Sequence, residues 1–229
     1  RAISLKQEYD EKIFGNNGNS ELRSPKIIKK IREVLPSESI VTTEVGQNQM
    51  WAKLYFKVSR QGLFITSGGL GTMGFGFPAA IGAKAAKPYV PVLDIAGDGS
   101  IQMNIQELAT AVIEGLNVKV AILNNSCLGM VRQWQELFYG ERYSGVDLGC
   151  VPDFVKVAEA YGAVGFRAVK PSEVEPVIKE AIKIKKPVFM DFRIDRMEKV
   201  FPMVPAGAAI HEMIFLEKKK KSEKMRVVR

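Results

Sequence analysis

Six short runs rich in β-branched and apolar residues, SIVTTEV (39–45), GLFITS (62–67), VPVLDIAG (90–97), VKVAILNN (118–125), AVGFRAV (163–169) and PVFMDFRI (187–194), alternate with longer segments of helical period. Continuous apolar runs need cover on both faces, and a strand followed by a helix returns parallel to its predecessor. The pattern therefore predicts an α/β domain with a doubly wound, mostly parallel sheet and helices on both faces. Ligands of such sheets lie beyond the carboxyl ends of the strands. Among the helices, Ser24-Pro25 places proline in a first turn, and KIIKKIREVL supplies one apolar face. In NIQELATAVIEG, Ile105, Leu108, Ala109 and Val112 recur at helical spacing, Asn104 and Glu107 have capping-box spacing, and Gly115 marks the stop. Two more helices are expected from Asp153 to Tyr161 and from Ser172 to Lys185.

With 229 residues and 46% hydrophobic composition, the chain can bury one substantial core. Its net charge of +8 invites a nucleic-acid reading, but the segment from Glu217 to Arg229 holds seven basic and two acidic residues, so most of the excess sits in one terminal run. Neither nucleic acid nor membrane is expected as a partner: no apolar run reaches 18 residues, and no secretion signal is readable. Cys127 and Cys150 have no paired or metal-ligand spacing, which fits a reducing compartment, with the cytoplasm as the expected location.

Two motifs carry chemistry. Gly69-Leu70-Gly71-Thr72-Met73-Gly74 satisfies the dinucleotide pattern G-x-G-x-x-G after a strand, with Asp94 spaced to hold a ribose hydroxyl. The same glycines, with Gly76 and Gly82, equally describe a small-residue face for close packing. The second motif is IAGDGS, a strand that ends with Asp98 between two glycines, followed one helix and one strand later by Asn124-Asn125. Alone, GDG is a common turn and NN a common strand end. Together, on adjacent parallel strands, they bring a carboxylate and an amide oxygen to one edge of the sheet. Such hard oxygen ligands suit a small divalent ion that keeps phosphate oxygens and water in its other positions, while N–H groups of Gly99 and Ser100 face phosphate.

GDGS followed by NN resembles the thiamine-diphosphate motif of the decarboxylase and carboligase superfamily. The blocks EVGQNQMWA, TSGGLGTMGFGFPAAIGA, GDGSIQMNIQELATA, ILNNSCLGMVRQWQELFY and FPMVPAGAA resemble the catalytic subunits of the acetolactate synthase (acetohydroxyacid synthase) family, over most of the region from Glu44 to Ala209. The resemblance implies that Asp98, Asn125 and the backbone carbonyl of Cys127 ligate magnesium. It implies that Gln47, Asn48, Gly99, Ser100, Gly129 and Met130 contact the diphosphate. Gly71 and Met73 would meet the aminopyrimidine, with Met73 propping the cofactor in its bent shape. Met130, Val131 and Trp134 would shape the pocket for the second keto acid, although Trp134 taken by itself reads as a packing residue. Where many members carry histidine this sequence has Asn48, which can donate a hydrogen bond but cannot carry charge. The lone His211 argues against histidine acid-base chemistry, which thiamine chemistry does not require.

The implied reaction joins two pyruvates to 2-acetolactate with release of carbon dioxide, or pyruvate with 2-oxobutyrate, at the entry to branched-chain amino-acid biosynthesis. The expected organisation is the end of a linker in residues 1–20, a diphosphate and magnesium domain in 21–195, a carboxyl-terminal active-site segment in 196–216 and a basic flexible tail in 217–229. The chain opens at Arg1 in helix-like sequence and reads as a piece of something longer, either a fragment or a natural split subunit. The family's activating glutamate belongs to a pyrimidine-binding domain outside the matched blocks, so the catalytic residue is unassigned and the chain by itself is expected to be inactive. The resemblance further implies small 2-oxo acids as substrates, a homo-oligomer, a regulatory subunit, and FAD in the full-length enzyme through other domains. Two competing classes are a nicotinamide or flavin oxidoreductase built on GGLGTMG, and a non-catalytic interaction module using the basic tail.

Overall fold

The structure, a computed structural model, describes residues 11, 13–14, 22–149 and 152–215. The basic tail, Cys150 and nearly all of the expected linker end lie outside the described residues. The chain divides into two compact units, Arg1–Glu198 and Lys199–Arg229.

The six apolar runs form the six strands of one sheet: β1 (Ile40–Thr43), β2 (Phe64–Thr66), β3 (Val92–Gly97), β4 (Val118–Asn124), β5 (Val164–Ala168) and β6 (Val188–Arg193). Their order is β2-β1-β3-β4-β6-β5, and every pairing is parallel. The central strands β1, β3 and β4 are buried almost throughout, in keeping with their largely apolar content, and they bury Asp94 and Lys119 with it. From β1 the chain first adds β2 on one side and then β3 on the other, so a topological switch point opens between β1 and β3.

Helices precede and connect the strands: α1 (Ser24–Val34), α2 (Gln47–Tyr55), α3 (Gly76–Ala86), α4 (Asp98–Ile101), α5 (Leu108–Ile113), α6 (Gly129–Phe138), α7 (Phe154–Ala160) and α8 (Pro171–Lys183). The boundaries follow local chemistry. Pro25 stands in the first turn of α1, and Asp153 caps α7 by accepting the N–H groups of Val155 and Lys156. A core that includes Phe77, Ile101, Leu108, Val120, Phe154 and Phe189 joins α3, α5 and α7 to the sheet. Phe77 meets Phe189 edge to face, with ring centroids 5.7 Å apart.

Two local expectations need correction. The segment from Asn104 to Gly115 is a 3-10 turn (Ile105–Glu107) followed by the short α5, and Asn104 makes no side-chain cap. Its amide instead reaches Gly74 O at 2.7 Å, while Glu107 accepts from the Thr110 hydroxyl, so a tertiary partner displaced the local box. Gly115 does end the helix, at φ +61°. The small-residue face of α3 divides in two. A Cβ on Gly76 would overlap the backbone of Thr43 and Glu44, whereas Gly82 faces open space. Close approach therefore requires glycine only at the first turn.

In the second unit, Met203 and Ile214 form an antiparallel bridge with N–H···O distances of 3.1 and 2.8 Å, around the 3-10 turn Ile210–Glu212 that carries the exposed His211.

Candidate cofactor-binding site

A cavity of about 150 Å³ opens at the carboxyl ends of β1, β3 and β4, at the switch point. Four segments meet there. The start of α2 contributes Gln47 and Asn48, the glycine-rich turn contributes Gly71 and Met73, α4 directly after β3 contributes Asp98, Gly99 and Ser100, and the segment from the end of β4 into α6 contributes Asn125, Cys127, Gly129, Met130 and Val131. Of the residues implicated from sequence, Trp134 stands apart. It is 43% exposed and lines a neighbouring hollow with Val131, Tyr139 and Arg142.

The register explains the meeting of Asp98 and Asn125. Gly97 pairs with Leu123 across parallel strands, so the residues just past each strand end emerge side by side. Asp98 is 1% exposed, and its Oδ2 is fully buried without a hydrogen-bond partner. Burial pushes its carboxyl up to about 6, and surrounding backbone N–H groups, including those of Asn125 and Ser126, hold back a larger rise. A buried carboxylate with an unpartnered oxygen is costly unless a cation or proton meets it.

Asn125 is held by both ends of its amide. Its Nδ2 donates to Gln47 Oε1 at 3.4 Å, and its Oδ1 accepts the N–H of Cys127 at 3.2 Å. Ser126, between them, sits at φ +56°, a conformation rare outside glycine and one that reverses the chain directly after Asn125. Ser126 O and Leu128 N–H then bond Leu148 and Val146, which forms the Cys127–Asp147 bridge. Because its neighbours' groups serve the bridge, the N–H of Cys127 is free to turn the other way, to Asn125 Oδ1. The Cys127 thiol is pushed up by burial, against the opposing effect of Arg132 and Arg196, and reaches Arg196 O at 3.9 Å.

The glycines keep the cavity open. A Cβ on Gly129 would overlap Gln47 Oε1 and come within 2.8 Å of Asn125 Nδ2. One on Gly99 would meet Leu128 Cδ2 at 2.7 Å and Met73 Cε at 3.8 Å, so the Met73 methyl lies beside the GDGS turn.

The amides of Gln47 and Asn48 are engaged by neighbouring protein groups. Asn48 Nδ2 donates to Glu44 O at 2.9 Å and to Ile95 O at 2.8 Å, so both its hydrogens tie β1 to β3 and only its oxygen is left toward Gly46 and Gly97. Gln47 Nε2 likewise donates to Gln133 Oε1 at 2.8 Å and to Glu198 O at 3.0 Å. In this arrangement both side chains act as braces, with their amide hydrogens engaged by protein oxygens.

Sequence reasoning missed the polar support behind the cavity. Glu198 accepts Ser24 N at 2.9 Å, Ser24 Oγ at 2.7 Å and Arg23 Nε at 3.2 Å, while Arg132 donates to Glu198 O at 3.0 Å and pairs with Glu136 at 2.8 Å. It also missed Glu44, whose carboxylate accepts from the glycine-rich turn. The E-V-G triplet at a strand end was the available signal.

Asp94 cannot hold a ribose. It is fully buried beneath the turn, with Oδ1 accepting the Thr42 hydroxyl at 2.8 Å. The dinucleotide reading loses its acidic anchor.

Residues 44–192 match the family profile described as thiamine pyrophosphate enzyme, C-terminal TPP binding domain. The chain belongs to the thiamine pyrophosphate enzyme family. Within it, acetolactate synthase from Mycobacterium leprae is 49% identical over 192 residues, covering 82% of this chain and 31% of that protein. The acetolactate synthase large subunit of Haemophilus influenzae is 45% identical over 194 residues, covering 84% and 34%. The chain thus spans about a third of the length of the curated relatives it matches. Among solved structures, the thiamine diphosphate-dependent 4-hydroxybenzoylformate decarboxylase of Rhodococcus jostii RHA1 superposes with a TM-score of 0.70 at 26% identity, over 77% of this chain and 33% of that one. The six-stranded parallel sheet is therefore the family's TPP-binding fold, and the domain is one that binds thiamine pyrophosphate, the same compound as thiamine diphosphate. No helix among the described residues is long and apolar enough to cross a membrane.

Proposed function

We propose that the chain is the diphosphate- and magnesium-binding part of a carboligase that joins two pyruvates to 2-acetolactate, consuming one proton and releasing carbon dioxide, or joins pyruvate to 2-oxobutyrate. The observation that carries the reading is the unpartnered buried oxygen of Asp98, a residue that lines the cavity together with Asn125 and Cys127. A cation here would take one carboxylate, one amide oxygen and one backbone carbonyl, from Asp98, Asn125 and Cys127. That sparse, hard donor set fits magnesium, which keeps phosphate oxygens and water as its other ligands.

Thiamine diphosphate supplies the electron sink for breaking the bond to the carboxylate of the first 2-oxo acid. The chain's own residues bind, orient and shield it. Asp98, Asn125 and the Cys127 carbonyl would hold the metal, Gln47 would keep Asn125 oriented, and backbone N–H groups of Gly99, Ser100, Gly129 and Met130 would receive the diphosphate. Gly71 and Met73 would meet the aminopyrimidine and exclude water from one of its faces. Met130, Val131 and Trp134 would border the acceptor keto acid. The glutamate that activates the aminopyrimidine, and the FAD of full-length relatives, would belong to domains other than this one. The naming of relatives as large subunits supports an oligomeric enzyme with a regulatory subunit.

The test is 2-acetolactate formation from pyruvate with magnesium and thiamine diphosphate. The purified chain alone is expected to form none, and addition of a pyrimidine-binding domain from a related synthase is expected to restore it. Turnover by the chain alone would overturn the assignment of the activating carboxylate to another domain.

A further inference from the structure

Glu44 stands directly after β1, fully buried, with both carboxylate oxygens engaged. Oε2 accepts the N–H of Gly74 at 2.6 Å, and Oε1 accepts the N–H of Phe77 at 2.9 Å. Those two N–H groups flank the junction between the glycine-rich turn and α3. From the other side Asn104 Nδ2 donates to Gly74 O at 2.7 Å, so both polar groups of the Gly74 residue are fixed. Gly74 itself is at φ +88°, and a Cβ there would strike Asn104 and Met103. Meanwhile the backbone of Glu44 serves the opposite end of the cavity: its N–H bonds Ile95 O at 3.1 Å and its carbonyl accepts Asn48 Nδ2.

We infer that Glu44 is a positioning residue: its two-oxygen clamp on Gly74 and Phe77 fixes the turn that carries Met73 at the height the aminopyrimidine needs, relative to the diphosphate seat. This rests on the proposal that Gly71 and Met73 meet the pyrimidine. The electrostatics agree with a standing charge at Glu44. Burial pushes both Glu44 and its buried neighbour Asp94 up, but backbone N–H groups of Phe77, Gly74, Gly76 and Val45 hold Glu44 down, whereas Asp94 has one hydroxyl donor and the repulsion of Glu44. The four N–H dipoles thus favour charge on Glu44 over Asp94.

Glu44→Gln tests this, because its new NH2 group would confront an N–H where an oxygen now accepts. Two ligands are titrated in magnesium: thiamine diphosphate, and inorganic pyrophosphate, which reports the diphosphate seat without a pyrimidine. The expected result is thiamine diphosphate affinity weakened roughly tenfold or more with pyrophosphate affinity unchanged. Equal loss of both ligands would mean a merely structural residue, and unchanged thiamine diphosphate affinity would mean no role; either overturns the inference. Should Glu44→Gln not fold, Asn104→Ala decides, at a partly exposed site that releases Gly74 from the other side. It is expected to show the same split at roughly threefold, and no split would overturn the inference. If the parent chain binds neither ligand, the diphosphate reading fails first.

Discussion

Asp98→Asn in the magnesium-free chain should raise stability while removing cofactor binding. The carboxyl is 1% exposed with one orphaned oxygen, and burial lifts it from 3.8 to about 6. A carboxyl whose folded value is raised contributes stability that is complete below the unfolded value and is lost as pH rises through the folded one. At about pH 7 that lift of roughly 2 units corresponds to about 3 kcal/mol of strain in the ionised parent, which the neutral amide does not carry. The assay is urea unfolding in chelator, across the interval from below 4 to about 7. The gap between variant and parent should be near zero at the acid end and grow to about 3 kcal/mol at the neutral end. With magnesium and thiamine diphosphate the order should invert, because only the parent gains from ligand binding. A variant no more stable than the parent at neutral pH in chelator would refute the picture of an uncompensated buried carboxylate. Retained magnesium-dependent binding would refute its role as ligand.

Lys119, at the amino end of β4 and remote from the cavity, gives an independent check. Burial and then the charge of Lys84 push its ammonium down to about 7, while it donates to Ile184 O at 2.6 Å and Lys186 O at 2.7 Å. Between about 7 and 10.5 the unfolded chain binds the extra proton, so parental stability should rise with pH there, by at most about 4–5 kcal/mol. Lys119→Met should flatten that rise in pH-dependent unfolding without altering thiamine diphosphate affinity. Trp134→Ala, at a half-exposed position outside the cofactor cavity, should change stability by less than about 0.5 kcal/mol and leave cofactor affinity intact. In the reconstituted enzyme it should alter the ratio of products from competing pyruvate and 2-oxobutyrate; an unchanged ratio would remove Trp134 from the acceptor pocket.

The strands were legible because parallel, doubly covered strands write their burial into continuous apolar runs, and the GDG and NN signals lie at strand ends where topology alone brings them together. The residues around the cavity were reached through motif resemblance, since no local pattern tells Gly129 or Met130 from any other helix start. What escaped depends on partners far apart in sequence. Asn104 looked like a cap because its spacing to Glu107 is local, but Gly74 O, thirty positions away, competes better for its amide. Asn48 read as a donor to phosphate, yet Ile95 O and Glu44 O take both of its hydrogens. Glu44, Arg132 and Glu198 sit in buried polar networks whose members lie on separate elements, and nothing in their immediate neighbours marks them as buried.

The measurement that bears most directly on the central claim, a diphosphate seat held through a metal on Asp98, Asn125 and Cys127, is calorimetric titration of the purified chain with thiamine diphosphate in magnesium and again in chelator. The account predicts stoichiometric binding in magnesium that disappears with the chelator. Equal heats in both conditions, or no binding in magnesium, would contradict it.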